Sequence, residues 1–513
     1  MPRRSPIADA EKPVFPSTRW PARLHDPIPV VLGALAAIAG AAAAIYYARV
    51  GLALSHYDAR AHLVVARRIL DSLTPGWQQI GAVWLPLPHV LDALPVQIDA
   101  LYRSGAAGTA ISVLSTAAAV WAIAAIVLRK ARSAIAGVAG AVLFTANPNV
   151  LYLQSTPMTE PLLFATTLIA VWATIAWLDS EGLAKPTWPG LALVAACMTR
   201  YEAWPITAAI VGLSGVVLLR RGVPVPVVLR ACLRLTLYPV TAVAIFMANS
   251  RWTVGAWFIS SGFYVAENEA RGHLATAWQQ VREGACHLSG DALIWSAYAG
   301  AVLVVVGFVR SRERASLALV LAPLAAGVLP LYAYFQGHPL RVRYSVPLVA
   351  AAAAVVAAGI GLLPRRLRPI VSVIVIALAV YESPPFERTA PMIVEAQRDA
   401  VHRVERQRVT DYLVQNYDGG LIMMSMGSLA HYMFDLSANG FAIHDFLHEG
   451  NGELWPFAMQ LGPRGFVTWV AVEEQAEGGD ALCLRGRLDP TFFDGFERVA
   501  EGGGVALYRA KQK

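Results

Sequence analysis

Long apolar runs recur through most of this chain, and they constrain its fold more than any other feature. A helix needs about 20 mostly apolar residues to cross the hydrocarbon core of a bilayer. With 56% hydrophobic and 15% charged residues among 513, the chain is too apolar for an ordinary soluble protein. The sequence predicts an all-α polytopic membrane bundle of eleven transmembrane helices, at 28–47, 107–128, 133–153, 160–178, 189–203, 205–219, 231–247, 292–309, 315–333, 345–363 and 369–383.

Basic clusters lie on every second connection between these runs. They occur at 129–132, 185, 220–230, 310–314 and 365–368. Cytoplasmic loops are enriched in Lys and Arg, so the basic tail at 1–27 is predicted to be cytoplasmic and the segment 384–513 extracytoplasmic. No cleavable signal peptide is predicted, because the first apolar run begins late and is too long for one. This topology explains the net charge of +7, and no nucleic-acid partner is predicted.

Two predicted outer loops, 48–106 and 249–291, are unusually long. The first contains an amphipathic stripe through Leu63, Ala66 and Leu70, which predicts a helix lying on the membrane surface. The second is aromatic and is predicted to be a lid over a site, with an aromatic belt at the membrane interface as the alternative. Its aromatic residues include Trp252, Trp257, Phe258, Phe263, Tyr264 and Trp278.

An acidic residue, Asp58, follows the first predicted span within the sequence Ser55 to His62. A carboxylate is costly inside the hydrocarbon, so one held at the outer lip of a helical bundle indicates a functional site. The alternative is a solvated acid in a loop. His56 lies two residues before Asp58 and could orient it.

Charged residues also mark two later junctions between predicted spans. Glu160 precedes Pro161, which predicts a helix start where the carboxylate faces the favourable end of the helix dipole; an ordinary helix-start acid is the alternative. Arg200 and Glu202 lie between the fifth and sixth spans. Such a pair is costly in apolar surroundings unless it is partnered, so a salt bridge that only fixes helix packing is the competing interpretation.

The sequence Arg341-Val342-Arg343-Tyr344 stands just before the tenth predicted span. Two guanidinium groups at i and i+2 beside a membrane boundary could hold a phosphate by paired hydrogen bonds. Interfacial arginines whose charged ends reach toward water are the alternative.

The composition changes after Pro384-Pro385, where charged residues become frequent. The segment 384–513 is predicted to be a small soluble α/β domain. Its helices are predicted at 391–416, 428–435 and 453–460, its strands at 421–426 and 466–472, and a hairpin ends at 504–508.

Within this domain, His444, His448 and Glu449 are metal-like in type. Two histidines at i and i+4 share a helix face, yet the HExxH order is absent and Gly450 favours a loop. A metal site is therefore one hypothesis. The preferred one is a polar surface that binds an acceptor or docks on the bundle.

In their order along residues 28–383, these features resemble the GT-C superfamily of integral-membrane glycosyltransferases. The similarity is to the family 39-like branch, which includes protein O-mannosyltransferases and lipid A aminoarabinose transferases. The matching residues are Asp58 in the first outer loop, Thr159-Glu160-Pro161-Leu162, Arg200-Tyr201-Glu202 and Arg341-Val342-Arg343-Tyr344 followed by Pro347.

The resemblance implies transfer of a sugar, with inversion, from a polyprenyl-phosphate carrier to a glycan, lipid or protein acceptor at the outer face of a membrane. It implies that Asp58 is the base and that partial desolvation raises the pKa of this carboxyl. Arg200, Arg341 and Arg343 would bind the donor phosphate. Many members carry two acids where this chain has only Asp58, so a divalent metal remains open. Contacts with the sugar, or orientation of the other side chains, would come from Glu160, Glu202, His56 and Tyr344.

The Ala- and Arg-rich composition suggests a bacterial inner membrane, whose lipids would surround the bundle. Two other functions stay open at this point. One is a transporter or flippase of a lipid-linked sugar, which predicts internal repeats and charges near the bilayer midplane. The other is a non-catalytic factor that assembles part of the cell envelope.

Overall fold

The computed structural model describes residues 26–80, 83–180, 183–257 and 268–511. The predicted cytoplasmic tail, apart from residues 26 and 27, lies outside these ranges, as do Phe258, Phe263 and Tyr264 of the predicted lid. The bundle contains helices α1 Pro27–Arg49, α2 Tyr57–Arg67, α3 Leu87–Asp92, α4 Asp99–Ser104, α5 Ala106–Ala131, α6 Ala134–Thr145, α7 Pro148–Leu153, α8 Glu160–Leu178, α9 Thr187–Cys197, α10 Ala203–Arg220, α11 Val225–Val254, α12 Leu274–Ser289, α13 Asp291–Arg310, a 3₁₀ segment Ala315–Gly327, α14 Val328–Phe335, α15 Val346–Leu362 and α16 Leu367–Glu382.

Eight stretches within the described ranges are long and apolar enough to cross a membrane, which makes this a multi-pass membrane bundle. They are Pro27–Arg49, Ala106–Ala131, Glu160–Leu178, Ala203–Arg220, Val225–Val254, Asp291–Arg310, Ala315–Phe335 and Val342–Leu362. The other three predicted spans are helical but shorter. The run 133–153 divides into α6 and α7 because Asn147 caps α7, whose first residue is Pro148. Helix α9 has 11 residues and α16 has 16.

Helix α15 forms the centre of the bundle, and all but two of its 17 residues are buried. Its small side chains let neighbouring helices approach closely, as is common between membrane helices. One close approach is at Gly359, where an added Cβ would lie 2.6 Å from the Cα of Gly300 on α13. The alanine-rich sequence of α15 therefore reflects tight packing on several sides.

The prediction that the first outer loop places a helix on the membrane surface is wrong. Helix α2 ends at Arg67, and nine of its residues are buried. It packs against a helix of the C-terminal domain, α19 (Met426–Ser437). Leu63 and Ala66 of the apolar stripe are therefore buried against protein rather than lipid, while Leu70 is 51% exposed.

The predicted C-terminal α/β fold is confirmed, with a five-stranded sheet in the order β2-β1-β3-β5-β4. Strand β1 pairs in parallel with β2 and β3, while β5 is antiparallel to β3 and β4. The sequence-based reading missed β2 and α21. The elements are α17 Pro391–Ala396, α18 Ala400–Asn416, β1 Ile422–Met424, α19 Met426–Ser437, β2 Phe446–Leu447, α20 Leu454–Leu461, β3 Trp469–Glu473, α21 Ala481–Leu488, β4 Phe496–Gly502 and β5 Val505–Ala510.

Candidate functional site

The start of α2 is fixed by contacts with α7. The Tyr152 hydroxyl on α7 donates to the Leu52 carbonyl at 3.0 Å and lies 3.2 Å from Ser55 Oγ. His56 then caps α2, because its Nδ1 accepts the Asp58 N–H at 3.1 Å. This bond places the His56 proton on Nε2 when the ring is neutral. His56 and Asp58 are consequently both buried at the beginning of the helix.

Arg343 lies in the turn that leads into α15, and its guanidinium reaches three carboxylates. Its Nη1 donates to Asp58 Oδ2. Its Nε lies 3.8 Å from Glu160 Oε1 and 3.9 Å from Glu395 Oε1. The same Nη1 is 3.5 Å from His56 Nε2. Arg343 therefore joins the start of α2 to the start of α8.

A second arginine, Arg200, extends this cluster from the junction between α9 and α10. Its Nη1 lies 3.0 Å from Glu160 Oε1 and donates to Thr159 Oγ1 at 2.9 Å. Its Nη2 donates to Glu202 Oε1 at 2.8 Å. The predicted pairing of Arg200 with Glu202 is present, and Glu160 lies at the first residue of α8 as expected.

Glu395 on α17 is a member of this cluster that the sequence-based reading missed. Its Oε1 is 3.5 Å from His56 Nε2, and the residue is 4% exposed. The Met392 N–H anchors α17 by donating to Asn149 Oδ1 at 3.0 Å, and Asn149 donates to the Leu288 carbonyl at 2.8 Å. A single acid within the apolar sequence 390–396 was the available signal.

Arg341 and Tyr344 lie at the edge of the cluster. Arg341 is half-buried, and its Nη1 donates to the Tyr57 hydroxyl at 3.4 Å. The Tyr344 ring meets His338 edge-on at 5.3 Å between centroids and packs with an apolar group around Tyr334. Arg341 and Arg343 thus reach adjacent residues of α2, whereas Tyr344 turns toward α12 and α14.

The charges of the cluster favour the ionised forms of Asp58 and Glu395. Burial raises the pKa of Asp58, but Arg343, together with His56 and His62, outweighs burial and holds that pKa below its usual range. The prediction that partial desolvation raises the pKa of Asp58 overall is therefore wrong. Burial likewise raises the pKa of Glu395, and His56 and Arg343 lower it overall. The nearby Asp58 carboxylate and burial raise the pKa of Tyr57.

A separate ion-pair network holds the C-terminal domain against α2. Arg60 is fully buried; its Nη2 lies 2.5 Å from Asp399 Oδ2, and its Nη1 pairs with Asp435. Arg406 contributes a second guanidinium, 2.8 Å from Asp399 Oδ2. Because Arg60 lies two residues after Asp58, this network supports the helix that carries the candidate base.

The metal-like residues His444, His448 and Glu449 have separate partners. His444 Nδ1 is 2.6 Å from Asp71 Oδ1, while Glu449 Oε2 accepts the Met426 N–H at 2.7 Å. His448 Nδ1 accepts the Gly450 N–H at 3.0 Å. Within the ranges that the structure describes, no group of three or more His, Cys, Asp or Glu side chains is arranged to hold a metal ion.

The surroundings of these residues form an interface with the first outer loop. Gln79 donates to the Gly450 carbonyl at 2.7 Å, and Asn451 donates to Ser72 Oγ at 3.0 Å. Burial, with a smaller effect from Arg68, lowers the pKa of His448 to about 3. The segment 444–451 thus contacts the loop at 71–79.

Comparison with known proteins shows a similar fold in two crystal structures of ArnT from Cupriavidus metallidurans. With ArnT bound to undecaprenyl phosphate, the TM-score is 0.55 at 12% identity, covering 92% of this chain and 97% of that chain. With ArnT in the apo state, the TM-score is 0.54 at the same identity and coverage. No protein-family model and no curated protein sequence matches the chain. The chain therefore has a fold similar to that of ArnT, and the resemblance drawn from its sequence is confirmed at the level of the fold.

Proposed function

We propose that this protein is a glycosyltransferase that moves a sugar from a polyprenyl-phosphate carrier to an acceptor at the outer face of a bacterial inner membrane. The observation that carries this proposal is the convergence of four distant sequence motifs on one buried cluster, through Asp58, Glu160, Arg200 and Arg343. The similar fold of ArnT, solved with undecaprenyl phosphate, supports a donor of that class.

The chemistry requires a base for the acceptor and positive charge for the departing phosphate. In the proposed step, the acceptor oxygen forms a bond to the anomeric carbon as the bond from that carbon to the phosphate oxygen breaks. The bonding pair leaves with the phosphate, and Asp58 receives the acceptor proton. A single displacement of this kind inverts the anomeric configuration.

Arg343 would link the two halves of this step. While it is paired with Asp58, it holds the pKa of that carboxyl low, and a carboxylate of low pKa is a weak base. A phosphate that gains negative charge competes for the same guanidinium. As Arg343 turns toward the phosphate, Asp58 loses the strongest interaction that holds its pKa low. Burial then raises this pKa, and proton transfer becomes more favourable.

Arg341 is the proposed additional contact for the donor phosphate. It lies half-buried beside the Tyr57 hydroxyl, next to the candidate base. Guanidinium remains charged in apolar surroundings and matches the geometry of phosphate oxygens. Arg200 would act from the other side of Glu160, within the same cluster.

The distribution of charge supports an outer location for this cluster. Glu160 starts α8, and Glu202 and Arg343 lie just before α10 and α15. Basic residues follow the opposite ends of these helices, at 185, 220–221 and 365–368. At about 1.5 Å per residue, the 19 residues of α8 separate the two ends by about 28 Å. By the positive-inside rule, the cluster and residues 384–513 would face outward.

Release of free polyprenyl phosphate tests the proposal directly. Purified wild type is incubated with a panel of polyprenyl-phosphate sugars and cell-envelope extract, beside Asp58→Asn and the exposed control Asp494→Asn. We expect Asp58→Asn to lose about 10²–10⁴-fold in transfer rate, as for a lost general base, while still binding donor. The control should match wild type.

Two results would contradict the proposal. Equal transfer rates for Asp58→Asn and wild type would show that Asp58 is not the base. Movement of labelled donor across sealed vesicles, without release of polyprenyl phosphate from any donor, would favour the transporter.

A further inference from the structure

Four buried polar atoms around Arg343 have no hydrogen-bond partner within the ranges that the structure describes. They are both carboxylate oxygens of Glu160, Glu395 Oε1 and Arg343 Nε. Glu160 is 0% exposed; its Oε1 lies 3.0 Å from Arg200 Nη1 without the alignment of a hydrogen bond. Buried polar groups in folded proteins almost always have a partner, so this group of atoms indicates a place where another polar group binds.

The geometry of these atoms restricts what can bind among them. Arg343 Nε lies 3.8 Å from Glu160 Oε1 and 3.9 Å from Glu395 Oε1, so neither pair forms a direct hydrogen bond. The nitrogen can only donate, and a carboxylate oxygen that carries no proton can only accept. A fitting partner must therefore accept one bond and donate another.

A hydroxyl group meets this requirement because it donates one hydrogen bond and accepts up to two. An ammonium group offers only donors, so it would leave Arg343 Nε unpaired. A fully ionised phosphate placed between Glu160 and Glu395 would offer only acceptors and would face their like charges, so the phosphate itself is not the group that fits at this point. The donor and acceptor pattern thus selects a neutral hydroxyl over either ionic group.

We propose that Glu395, together with Glu160 and Arg343, binds a hydroxyl group of the substrate, either on the transferred sugar or on the acceptor. This inference rests on the proposed glycosyltransferase function and deepens it by naming a contact for the substrate. It assigns a binding role to a residue that follows all the membrane spans in the sequence.

The support around Glu395 suits such a role, because a binding group must be held in place by its neighbours. On one side, α17 is fixed through Met392 to Asn149 of α7, at 3.0 Å. On the other, Asp399 follows by one turn and pairs with Arg60 of α2, at 2.5 Å. Glu395 is thereby anchored to both the bundle and the helix that carries the candidate base.

The test compares Glu395→Gln with Glu405→Gln, a change of an exposed glutamate on α18. Each is assayed in the full-length protein with the active donor and with donor analogues that each lack one sugar hydroxyl. We expect Glu395→Gln to lower kcat/KM about 10- to 100-fold, the effect of leaving a buried polar partner unpaired. Glu405→Gln should equal wild type.

The analogues identify the source of the hydroxyl. If it belongs to the sugar, one deoxy donor lowers kcat/KM about 10- to 100-fold in wild type but has little further effect in Glu395→Gln. If it belongs to the acceptor, a deoxy acceptor gives that pattern instead. Either pattern supports the proposal.

Two outcomes would overturn it. Glu395→Gln could match Glu405→Gln in kcat/KM, which would leave Glu395 without a role in binding. It could also lose activity while discriminating against every deoxy donor and acceptor as strongly as wild type does, which would indicate a structural role or a bound water only. Both are distinct from failure of the proposed function, in which wild type itself releases no polyprenyl phosphate.

Discussion

Helix α8 has a buried charged cluster at each end, and the two clusters differ in how completely their hydrogen bonds are made. Just past its last residue, Asp179 is surrounded by donors. Around Glu160, at its first residue, several buried atoms lack partners within the described ranges. The groups around Asp179 are Arg221 Nη2 at 2.7 Å, Ser316 Oγ at 2.9 Å, Lys130 Nζ at 3.0 Å and Arg129 Nε at 3.4 Å.

From this difference we infer a packing role for the cluster at Asp179 and a binding role for the cluster at Glu160. Burying charge costs several kcal/mol per ion unless attraction and hydrogen bonds offset it, and the cluster at Asp179 makes those bonds within the protein. In our proposal, a substrate hydroxyl completes the hydrogen bonds of the cluster at Glu160. Acids and arginines form both clusters, so residue type alone does not distinguish them.

The largest effect on stability is expected at Asp179, where the buried charges are paired within the protein. Asp179→Asn would leave Lys130 and Arg221 buried without their carboxylate, and removing one partner of a buried pair costs about 3–5 kcal/mol. Thermal unfolding in detergent would measure the loss, with Asp494→Asn as control. Transfer per folded molecule should not change. If Asp179→Asn kept its stability but lost transfer activity, the packing role of the Asp179 cluster would be contradicted.

A smaller effect, dependent on pH, is expected from Arg343→Gln. In wild type the lowered pKa of Asp58 contributes stability above about pH 4, which is lost as pH falls through the folded-state pKa. In the variant the strongest interaction that lowers the pKa of Asp58 is lost, so this pKa rises and the buried carboxylate destabilises the protein at pH 7. We expect a loss of about 2 kcal/mol there.

The stability difference between wild type and Arg343→Gln should therefore narrow as pH is lowered from 7 toward 4, because protonation relieves the buried carboxylate. Unfolding temperatures at pH 7, 6 and 5 would measure it. A difference that is constant or grows toward low pH would contradict the pairing of Asp58 with Arg343.

The smallest effect on stability is expected from Glu160→Gln. Its carboxylate lacks aligned hydrogen bonds, and Arg200 keeps Glu202 and Thr159 as partners after the change. We expect a change within about 1 kcal/mol, alongside a fall of at least about tenfold in transfer. Unfolding and release of polyprenyl phosphate, measured on the same preparation, test both. A loss as large as that of Asp179→Asn would remove the distinction between the clusters.

Local sequence patterns were sufficient for much of the bundle and the C-terminal domain. Pro161 indicated the start of α8, and the junction at Arg200 and Glu202 separates α9 from α10 as expected. These features depend on neighbours within one helical turn. The number of full-length spans was harder to predict, because Asn147 and Pro148 interrupt an apolar run that is continuous by hydropathy alone.

The arrangement around α2 was beyond sequence reasoning because it depends on distant contacts. An amphipathic stripe does not specify whether lipid or protein covers it, and α19 covers α2 from more than 350 residues away. Glu395 was missed for the same reason. It is a lone acid in a short apolar helix, and its proximity to His56 follows only from how α17 docks on α7.

The position of Glu395 in the chain also determines when the cluster can form during biosynthesis. Ribosomes add residues from the N-terminus, and every membrane span precedes α17. The spans can enter the bilayer and pack while Glu395 and Asp399 have not yet been made. A nascent or prematurely terminated bundle thus carries Asp58, Glu160 and Arg343 without the groups that complete their surroundings. Completion of the cluster is accordingly a late event, which waits until residues 391–399 have been made and have docked on the bundle and on α2.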